Sequence, residues 1–280
     1  MNAKDLVQKA LVGMPTSRRH MNTRVAVLSY HSVSEAPGAT PPALFETHMR
    51  WLNASCHVVP LAAILDHARG PRARPVVAVT FDDGFLDNLS AALPILLRYG
   101  IPASFFIATG LVDRDPSVLK AAAQWESWPQ GASIMTWDHV LELRRAGMEI
   151  GAHGHGHVPL GPMRDPMALA DLRESKELLE DQLGEPIRSV AFPYGRPRRH
   201  VTRRTIEIAA TLGFEVGALV LYRRVRPDDH PLAIPRFVVS EDSLKMMQAK
   251  IFGSFDVLGL YQERAPLWAI RAIARKHYLS

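Results

Sequence analysis

The sequence contains few cysteines and no long hydrophobic run. Its 280 residues include one cysteine, Cys56, which excludes an intramolecular disulfide and any need for an oxidising compartment. No stretch reaches the roughly 20 consecutive apolar residues that a membrane-spanning helix needs. None of the common nucleic-acid-binding motifs is present, so we expect no nucleic-acid partner. These absences indicate a soluble globular protein, and the apolar fraction of 47% suffices for a large core.

The first residues lack the pattern of a secretory signal. Their apolar piece, residues 10–14, is shorter than a signal-peptide core and is followed by basic residues at 18–20. We therefore expect residues 1–22 to be a leader of little structural meaning, with Met21 as an alternative start, and the protein to be cytoplasmic. A cleaved signal is the alternative interpretation.

Arginine dominates the charge. The net charge is +5 and the pI is about 9.5, with arginines concentrated at residues 196–204 and 223–226 and near the C-terminus. Such clusters can contact phosphates or an anionic membrane, although a solvated basic face is the simpler interpretation. Near the C-terminus an apolar stripe at residues 267–274 lies beside basic residues. It predicts a helix suited to peripheral membrane contact or, alternatively, to docking on the domain.

Strand-like and helix-like segments alternate through most of the chain. Residues 110–134, rich in Trp, Pro, Gly and Gln, look like a long excursion over one rim. The predicted strands are 25–30, 57–59, 76–81, 103–108, 148–150, 189–192, 214–221 and 235–239. The predicted helices are 42–54, 61–68, 89–100, 137–146, 165–183, 201–212 and one capped by Ser240. This alternation predicts a parallel sheet covered by helices, either a barrel or a doubly wound sheet. In both folds chemistry collects at the carboxyl ends of the strands.

Two adjacent carboxylates follow a predicted strand that is hydrophobic enough to be buried on both faces. Residues 76–81 form a β-branched run that stops at Asp82, Asp83 and Gly84. Burying two neighbouring aspartates costs several kcal/mol unless a metal ion, a cation or a shared proton compensates. Because neighbouring residues at a strand end project to different sides, one carboxylate can bind a metal while the other accepts a proton. A simple type I turn is the alternative interpretation.

A histidine-rich segment follows a later strand. His153, His155 and His157 alternate with Gly154 and Gly156, which favours an irregular loop able to curl around an ion. Two imidazoles and one carboxylate suit a catalytic Zn²⁺ or a similar divalent ion with open positions for water and substrate. A polar loop without a metal is the alternative.

Two further strand ends carry polar groups. His31 ends the first strand, and by itself a core histidine is the better interpretation. Tyr194 follows the strand at 189–192. The backbone N–H of Tyr194 could stabilise an oxyanion, or this segment is merely a tight turn.

Together these residues resemble the polysaccharide deacetylases of carbohydrate esterase family four, which contain the nodulation-factor-deacetylase homology domain. The resemblance covers residues 24–240. The motifs that carry it are Thr80-Phe81-Asp82-Asp83-Gly84, His153-x-x-x-His157 and Phe192-Pro193-Tyr194-Gly195.

The resemblance implies both a fold and a mechanism. It implies an α/β fold, a distorted (β/α) barrel with about seven parallel strands. It also implies a Zn²⁺-type ion on Asp83, His153 and His157, with Asp82 as general base. The implied reaction removes acetyl groups from N-acetylated amino sugars.

The chain departs from the family pattern at several positions. Gly154 stands where Ser or Thr is usual, so a loop-stabilising hydrogen bond is lost. Ala191 stands near the place of an arginine that orients the base, and Arg236 is our candidate to replace it. The late Leu-x-Leu-His motif that carries the general acid is missing. His31 resembles a strand-end histidine of the exopolysaccharide branch, and we expect it to be the acid.

We therefore expect a leader at residues 1–22, a catalytic domain at 23–240 and a C-terminal helical extension at 241–280. The expected substrate is an N-acetylated glycan or its lipid-linked precursor, cleaved by metal-activated water. An O-acetyl esterase, a non-sugar C–N amidase and an inactive carbohydrate-binding homologue are the alternatives. The sequence leaves the role of His155 open.

Overall fold

The protein is described here by a computed structural model, which covers residues 24–122 and 131–264. Its strands are β1 (Val25–Tyr30), β2 (His57–Val58), β3 (Val76–Phe81), β4 (Ala103–Ile107), β5 (Glu149–Ala152), β6 (Ser189–Ala191), β7 (Val216–Val220) and β8 (Ile234–Val238). Its helices are α1 (Pro42–Ser55), α2 (Ile64–Arg69), α3 (Leu93–Tyr99), α4 (Thr109–Val112), α5 (Pro116–Ala122), α6 (Trp137–Arg145), α7 (Asp165–Leu183), α8 (Arg203–Thr211), α9 (Leu244–Phe252) and α10 (Asp256–Arg264).

The sheet closes on itself. All pairings between the strands are parallel, and β1 pairs with both β3 and β8, which joins the ends of the strand order. Seven strands form the closed barrel, and β2 is attached outside it along the start of β3. The predicted distorted (β/α) barrel with about seven parallel strands is confirmed, and the doubly wound alternative is wrong.

The barrel strands are buried on both faces, which explains their continuous hydrophobic runs. Every residue of β1 and of β3 is buried. One set of alternate side chains fills the barrel interior, and the other set packs under the helices. The second set includes an aromatic group in which the rings of Tyr30 and Phe81 lie 5.6 Å apart.

The segment after β3 differs from the prediction of one regular helix. It begins with a π-helical turn, Asn88–Ala92, in which the Leu93 N–H donates to the Asn88 carbonyl, and α3 follows. Pro94 explains the irregularity, since it has no N–H with which to continue a regular ladder. Leu97, near the end of α3, is 53% exposed and faces solvent.

Other predicted boundaries shift at capping residues. The helix predicted from residue 201 begins at Arg203, because Thr202 accepts a hydrogen bond from the Thr205 N–H and caps it. The cap predicted at Ser240 is wrong, since Ser243 accepts from the Met246 N–H at 3.3 Å.

The predicted excursion at residues 110–134 contains most of α4 and all of α5. Residues 123–130 within it, the leader at 1–22 and the apolar stripe at 267–274 lie outside the described residues. Within the part of the chain that is described, no helix combines the length and apolar composition needed to cross a bilayer.

Candidate active site and metal centre

The predicted ligands converge at the carboxyl ends of β3 and β5. The Oδ1 atom of Asp83 lies 3.3 Å from His153 Nε2 and 3.1 Å from His157 Nε2. One ligand atom from each of the three residues lies within 4.8 Å of the other two, and all three side chains are buried. This Asp-His-His group could hold a metal ion.

The backbone of two of these candidate ligands, Asp83 and His157, is in the left-handed conformation, which orients their side chains. Asp83 has φ +76° and His157 has φ +47°, a region that residues other than glycine seldom adopt. Aspartate and histidine are among the residues that tolerate it best. Such strain persists where the surrounding structure holds it in place, and it is common at functional sites.

The hydrogen bonding of His153 tests whether a cation fits the group. Its Nδ1 donates to the Ala191 carbonyl at 2.6 Å, because a carbonyl oxygen can only accept. A neutral His153 therefore directs the lone pair of Nε2 at the Asp83 carboxylate. Asp83 Oδ1 is buried and receives no well-formed hydrogen bond from the residues described. Lone pairs facing each other at this distance require a proton or a metal ion between them, so the residues fit a divalent ion.

Burial and the neighbouring charges shift the pKa of all three side chains. Burial opposes ionisation of Asp83, but His157 and His153 outweigh it and hold the pKa of Asp83 well below its usual value. Burial likewise disfavours a charged His153, yet Asp82 and Asp83 outweigh it and raise the pKa of His153. For His157 burial prevails over Asp83, and the pKa of His157 is lowered.

Asp82 is paired with a buried arginine. Arg236 on β8 donates from Nη1 to Asp82 Oδ1 at 2.7 Å and from Nη2 to Oδ2 at 2.8 Å. Burial alone would raise the pKa of Asp82, but the guanidinium outweighs it and lowers that pKa. A bidentate pair of this kind fixes both the charge and the plane of the carboxylate.

Two polar strand residues, Ser29 and Thr80, also contact this pair, and no role was predicted for either from the sequence. Ser29 donates to Asp82 Oδ2 at 3.2 Å, and the hydroxyl oxygen of Thr80 accepts from Arg236 at 3.1 Å. The sequence does contain a signal for them, because Ser29 and Thr80 are hydroxyl-bearing residues within otherwise hydrophobic, fully buried strands.

The remaining predicted residues lie around this centre. His31 is half-buried and interacts electrostatically with Asp82 and Asp83. The Tyr194 ring lies 5.2 Å from the His157 ring and is 40% exposed. Its backbone is left-handed, with φ +59°.

His155 points away from the triad. Its Nδ1 lies 3.1 Å from the hydroxyl of Thr109, and its Nε2 faces Asp115 at 3.8 Å and Glu174 at 3.7 Å. The structure therefore leaves two histidines, not three, at the candidate metal centre.

The fold and the site define a parallel (β/α)-barrel enzyme with a candidate metal centre at the carboxyl ends of its strands. The family model described as "Polysaccharide deacetylase" matches residues 69–217, more than half of the chain. The chain belongs to the polysaccharide deacetylase family, and it is a deacetylase of the hydrolase class.

Two named bacterial proteins are similar to this chain in sequence. YxkH of Bacillus subtilis is 24% identical over 241 residues, which cover 83% of this chain and 76% of YxkH. The poly-β-1,6-N-acetyl-D-glucosamine N-deacetylase of Staphylococcus aureus is 22% identical over 212 residues, which cover 72% of this chain and 68% of that protein.

A solved structure agrees in fold. IcaB from Ammonifex degensii is 27% identical and superposes with a TM-score of 0.69, covering 82% of this chain and 97% of that structure.

Proposed function

We propose that the protein removes N-acetyl groups from amino sugars of a poly- or oligosaccharide, using one divalent metal ion, Zn²⁺. The observation that carries this proposal is the buried Asp83, His153 and His157 group beside an arginine-paired Asp82. The name of the Staphylococcus aureus relative, an N-deacetylase of an N-acetylglucosamine polymer, supports the substrate class.

Asp83 Oδ1 and the Nε2 atoms of His153 and His157 would hold the ion. A carboxylate and two imidazoles form the donor set of many catalytic zinc sites, which keep a position open. An ion bound there supplies a Lewis acid that brings the pKa of water near 7. The hydrogen bond from His153 Nδ1 to Ala191 keeps the ligating nitrogen directed inward.

Asp82 is the proposed general base. It takes a proton from the water that attacks the acetamide carbonyl carbon. Arg236 suits it to this task in two ways, since it keeps the carboxylate ionised at neutral pH and fixes its orientation.

Tyr194 and His31 are the proposed partners of the other reacting atoms. The backbone N–H of Tyr194 stabilises the oxyanion that forms from the carbonyl oxygen. His31 protonates the nitrogen as the C–N bond breaks. The products are acetate and a free amino sugar.

The substrate in the cell is either the glycan itself or its lipid-linked precursor. The basic arginine clusters and the C-terminal extension at 241–280 are our basis for proposing the lipid-linked form and peripheral contact with an anionic membrane. Assays of both substrate forms decide between them.

The test combines metal content with acetate release from β-1,6-linked N-acetylglucosamine oligomers and from lipid-linked N-acetylglucosamine. The proteins are the wild type, Asp82→Asn and, as a matched control, Asp66→Asn, since the Asp66 side chain is 83% exposed. We expect one ion per chain in all three. Acetate release should fall about 100-fold to 10,000-fold in Asp82→Asn alone.

Other outcomes contradict the proposal in identifiable ways. Acetate released from O-acetylated sugars but not from N-acetylated ones would make the protein an esterase. A wild type that binds glycan but neither holds metal nor releases acetate would be a carbohydrate-binding homologue.

A further inference from the structure

The histidine loop, residues 153–157, carries two of the three candidate ligands but belongs to no helix or strand. Its conformation must therefore be fixed by hydrogen bonds from outside the loop. The residues that provide them decide how well His153 and His157 are positioned.

One side of the loop rests on α4. The N–H groups of Thr109 and Gly110 donate to the carbonyls of Gly154 at 3.2 Å and His155 at 3.1 Å. A Cβ atom on Gly110 would lie only 2.6 Å from the His155 carbonyl oxygen, so this close approach requires glycine. These contacts satisfy the carbonyls of Gly154 and His155.

The other side of the loop rests on Asp171 of α7. Its Oδ1 accepts from the Gly156 N–H at 2.7 Å, and its Oδ2 accepts from the His155 N–H at 3.3 Å. Both amides lie between the two ligating histidines. Hydrogen bonds from backbone amides to an ionised carboxylate are among the stronger ones in proteins.

Gly154 is matched to this carboxylate. It has φ +70°, and a Cβ atom built on it would lie 2.6 Å from Asp171 Oδ2. The space that a side chain at residue 154 would occupy is therefore taken by Asp171. This explains the glycine where the family resemblance leads one to expect Ser or Thr with its own loop-stabilising hydrogen bond.

We propose that Asp171 is the positioning residue of the metal centre. By binding the amides of residues 155 and 156, it holds His157 in its left-handed conformation with Nε2 directed at Asp83. Gly154 is the residue that makes room for it. This inference rests on the proposed function in one respect, namely that the triad binds a metal ion.

The experiment measures the Zn²⁺ affinity of each protein by competition with a chromophoric chelator, and the absorption spectrum of the Co²⁺-substituted protein. The variants are Asp171→Ala, Gly154→Ser and the double variant. Asp181→Ala is the matched control, because Asp181 is an exposed acidic residue on the same helix. Circular dichroism of the metal-free proteins verifies that each variant is folded.

We expect Asp171→Ala to bind Zn²⁺ about 10-fold to 100-fold more weakly and to change the Co²⁺ spectrum, while Asp181→Ala matches the wild type. Gly154→Ser should also weaken binding. Its effect should be smaller in the Asp171→Ala background, because the oxygen that the new Cβ would meet is then gone.

Wild-type affinity and an unchanged Co²⁺ spectrum in a folded Asp171→Ala variant would overturn the inference and leave the metal centre itself intact. Strictly multiplicative effects of the two substitutions would refute the match between Gly154 and Asp171. If the wild type itself binds neither Zn²⁺ nor Co²⁺, the proposed metal-dependent function fails first.

Discussion

A buried ion pair links Arg236 on β8 to Asp82 at the carboxyl end of β3. Arg236 is fully buried, lies over the Phe106 ring at 5.5 Å and makes both of its strongest contacts to Asp82. A guanidinium matches a carboxylate at two atoms, whereas an ammonium group supplies only a point charge. Arg236 therefore fixes the orientation of the Asp82 carboxylate, the proposed base, as well as its charge.

Replacing Arg236 separates the two contributions. Arg236→Lys should keep the charge but lose the second hydrogen bond, and kcat should fall about 10-fold to 100-fold with metal content unchanged. Arg236→Gln leaves Asp82 buried without a cation and should lower the free energy of unfolding by about 3–5 kcal/mol. Acetate release and denaturant unfolding measure the two effects. Equal kcat for the lysine variant and the wild type would contradict the positioning role.

At the scale of single residues the sequence was informative where chemistry follows a strand. Asp82, Asp83, His153 and His157 were predicted because motif and position agreed. Asp171 was missed because it lies inside a periodic helix, and the only sequence signal for it was the missing side chain at Gly154. The contact of Asp171 with the histidine loop depends on the absence of a side chain at Gly154, and such an absence produces no residue pattern in the sequence.

Among the elements, α1 packs on the barrel around a buried histidine. His48 is fully buried, and its Nδ1 lies 3.1 Å from the Tyr30 hydroxyl of β1. The same hydroxyl donates to the sulfur of Met247 on α9 at 3.6 Å. One hydroxyl group, through two contacts, thus joins a strand to two helices in a largely apolar layer.

This histidine makes stability depend on pH. Burial lowers the pKa of His48 from 6.5 to about 4. Between these values the unfolded chain takes up a proton that the folded chain does not, so stability is complete above pH 6.5 and falls as the pH falls. The loss should reach about 3 kcal/mol at pH 4.

Denaturant unfolding from pH 7 to pH 4 tests this with two variants. His48→Gln keeps a partner for the Tyr30 hydroxyl, and its stability should fall less steeply with pH than that of the wild type. His57→Gln, which replaces an exposed histidine of β2, should follow the wild type. Parallel curves for all three proteins would show that His48 does not control the acid response.

Elements were predictable where their ends carry strong local signals. The helix predicted at 165–183 has these bounds in the structure, and it ends at Gly184 in the left-handed conformation that glycine favours. The π-helical turn before α3 was not predicted within the helix at 89–100, because it depends on how Pro94 interrupts the backbone hydrogen bonds of that helix. The cap at Ser243 was missed because Ser240 offers the same side chain three residues earlier.

Across the whole molecule, Arg24 ties the start of the barrel to the last two described helices. It donates to both carboxylate oxygens of Asp256 at 2.8 Å and to the Ile251 carbonyl at 3.0 Å. The C-terminal helices therefore brace the strand that closes the barrel. We propose that residues 241–264 unfold together with the barrel.

Arg24→Met should lower the midpoint temperature of the single unfolding transition by about 3–4 °C, for a loss of about 2 kcal/mol. Arg203→Met removes the ion pair with Glu207, whose two side chains are 93% and 59% exposed. The midpoint temperature of this variant should stay within about 2 °C of the wild type. Calorimetry measures both. A separate early transition in Arg24→Met would mean that the helices melt independently of the barrel.

The closure of the sheet into a barrel could not be predicted from the hydrophobic pattern alone. The alternation of strands and helices fits a barrel and a doubly wound sheet equally, and the family resemblance decided between them. The deciding contacts are the pairings of β1 with β3 and β8, which join distant parts of the chain and leave no local signal.

The pairing of Asp82 with Arg236 also sets the order of events during synthesis on the ribosome. The two residues are 154 positions apart, so the arginine emerges about 8–30 s after the aspartate at 5–20 residues per second. During that interval the Asp82 carboxylate cannot pair with Arg236, so we expect it to stay hydrated. Barrel closure and completion of the catalytic centre are then one late step, and a nascent chain that lacks β8 is expected to have no deacetylase activity.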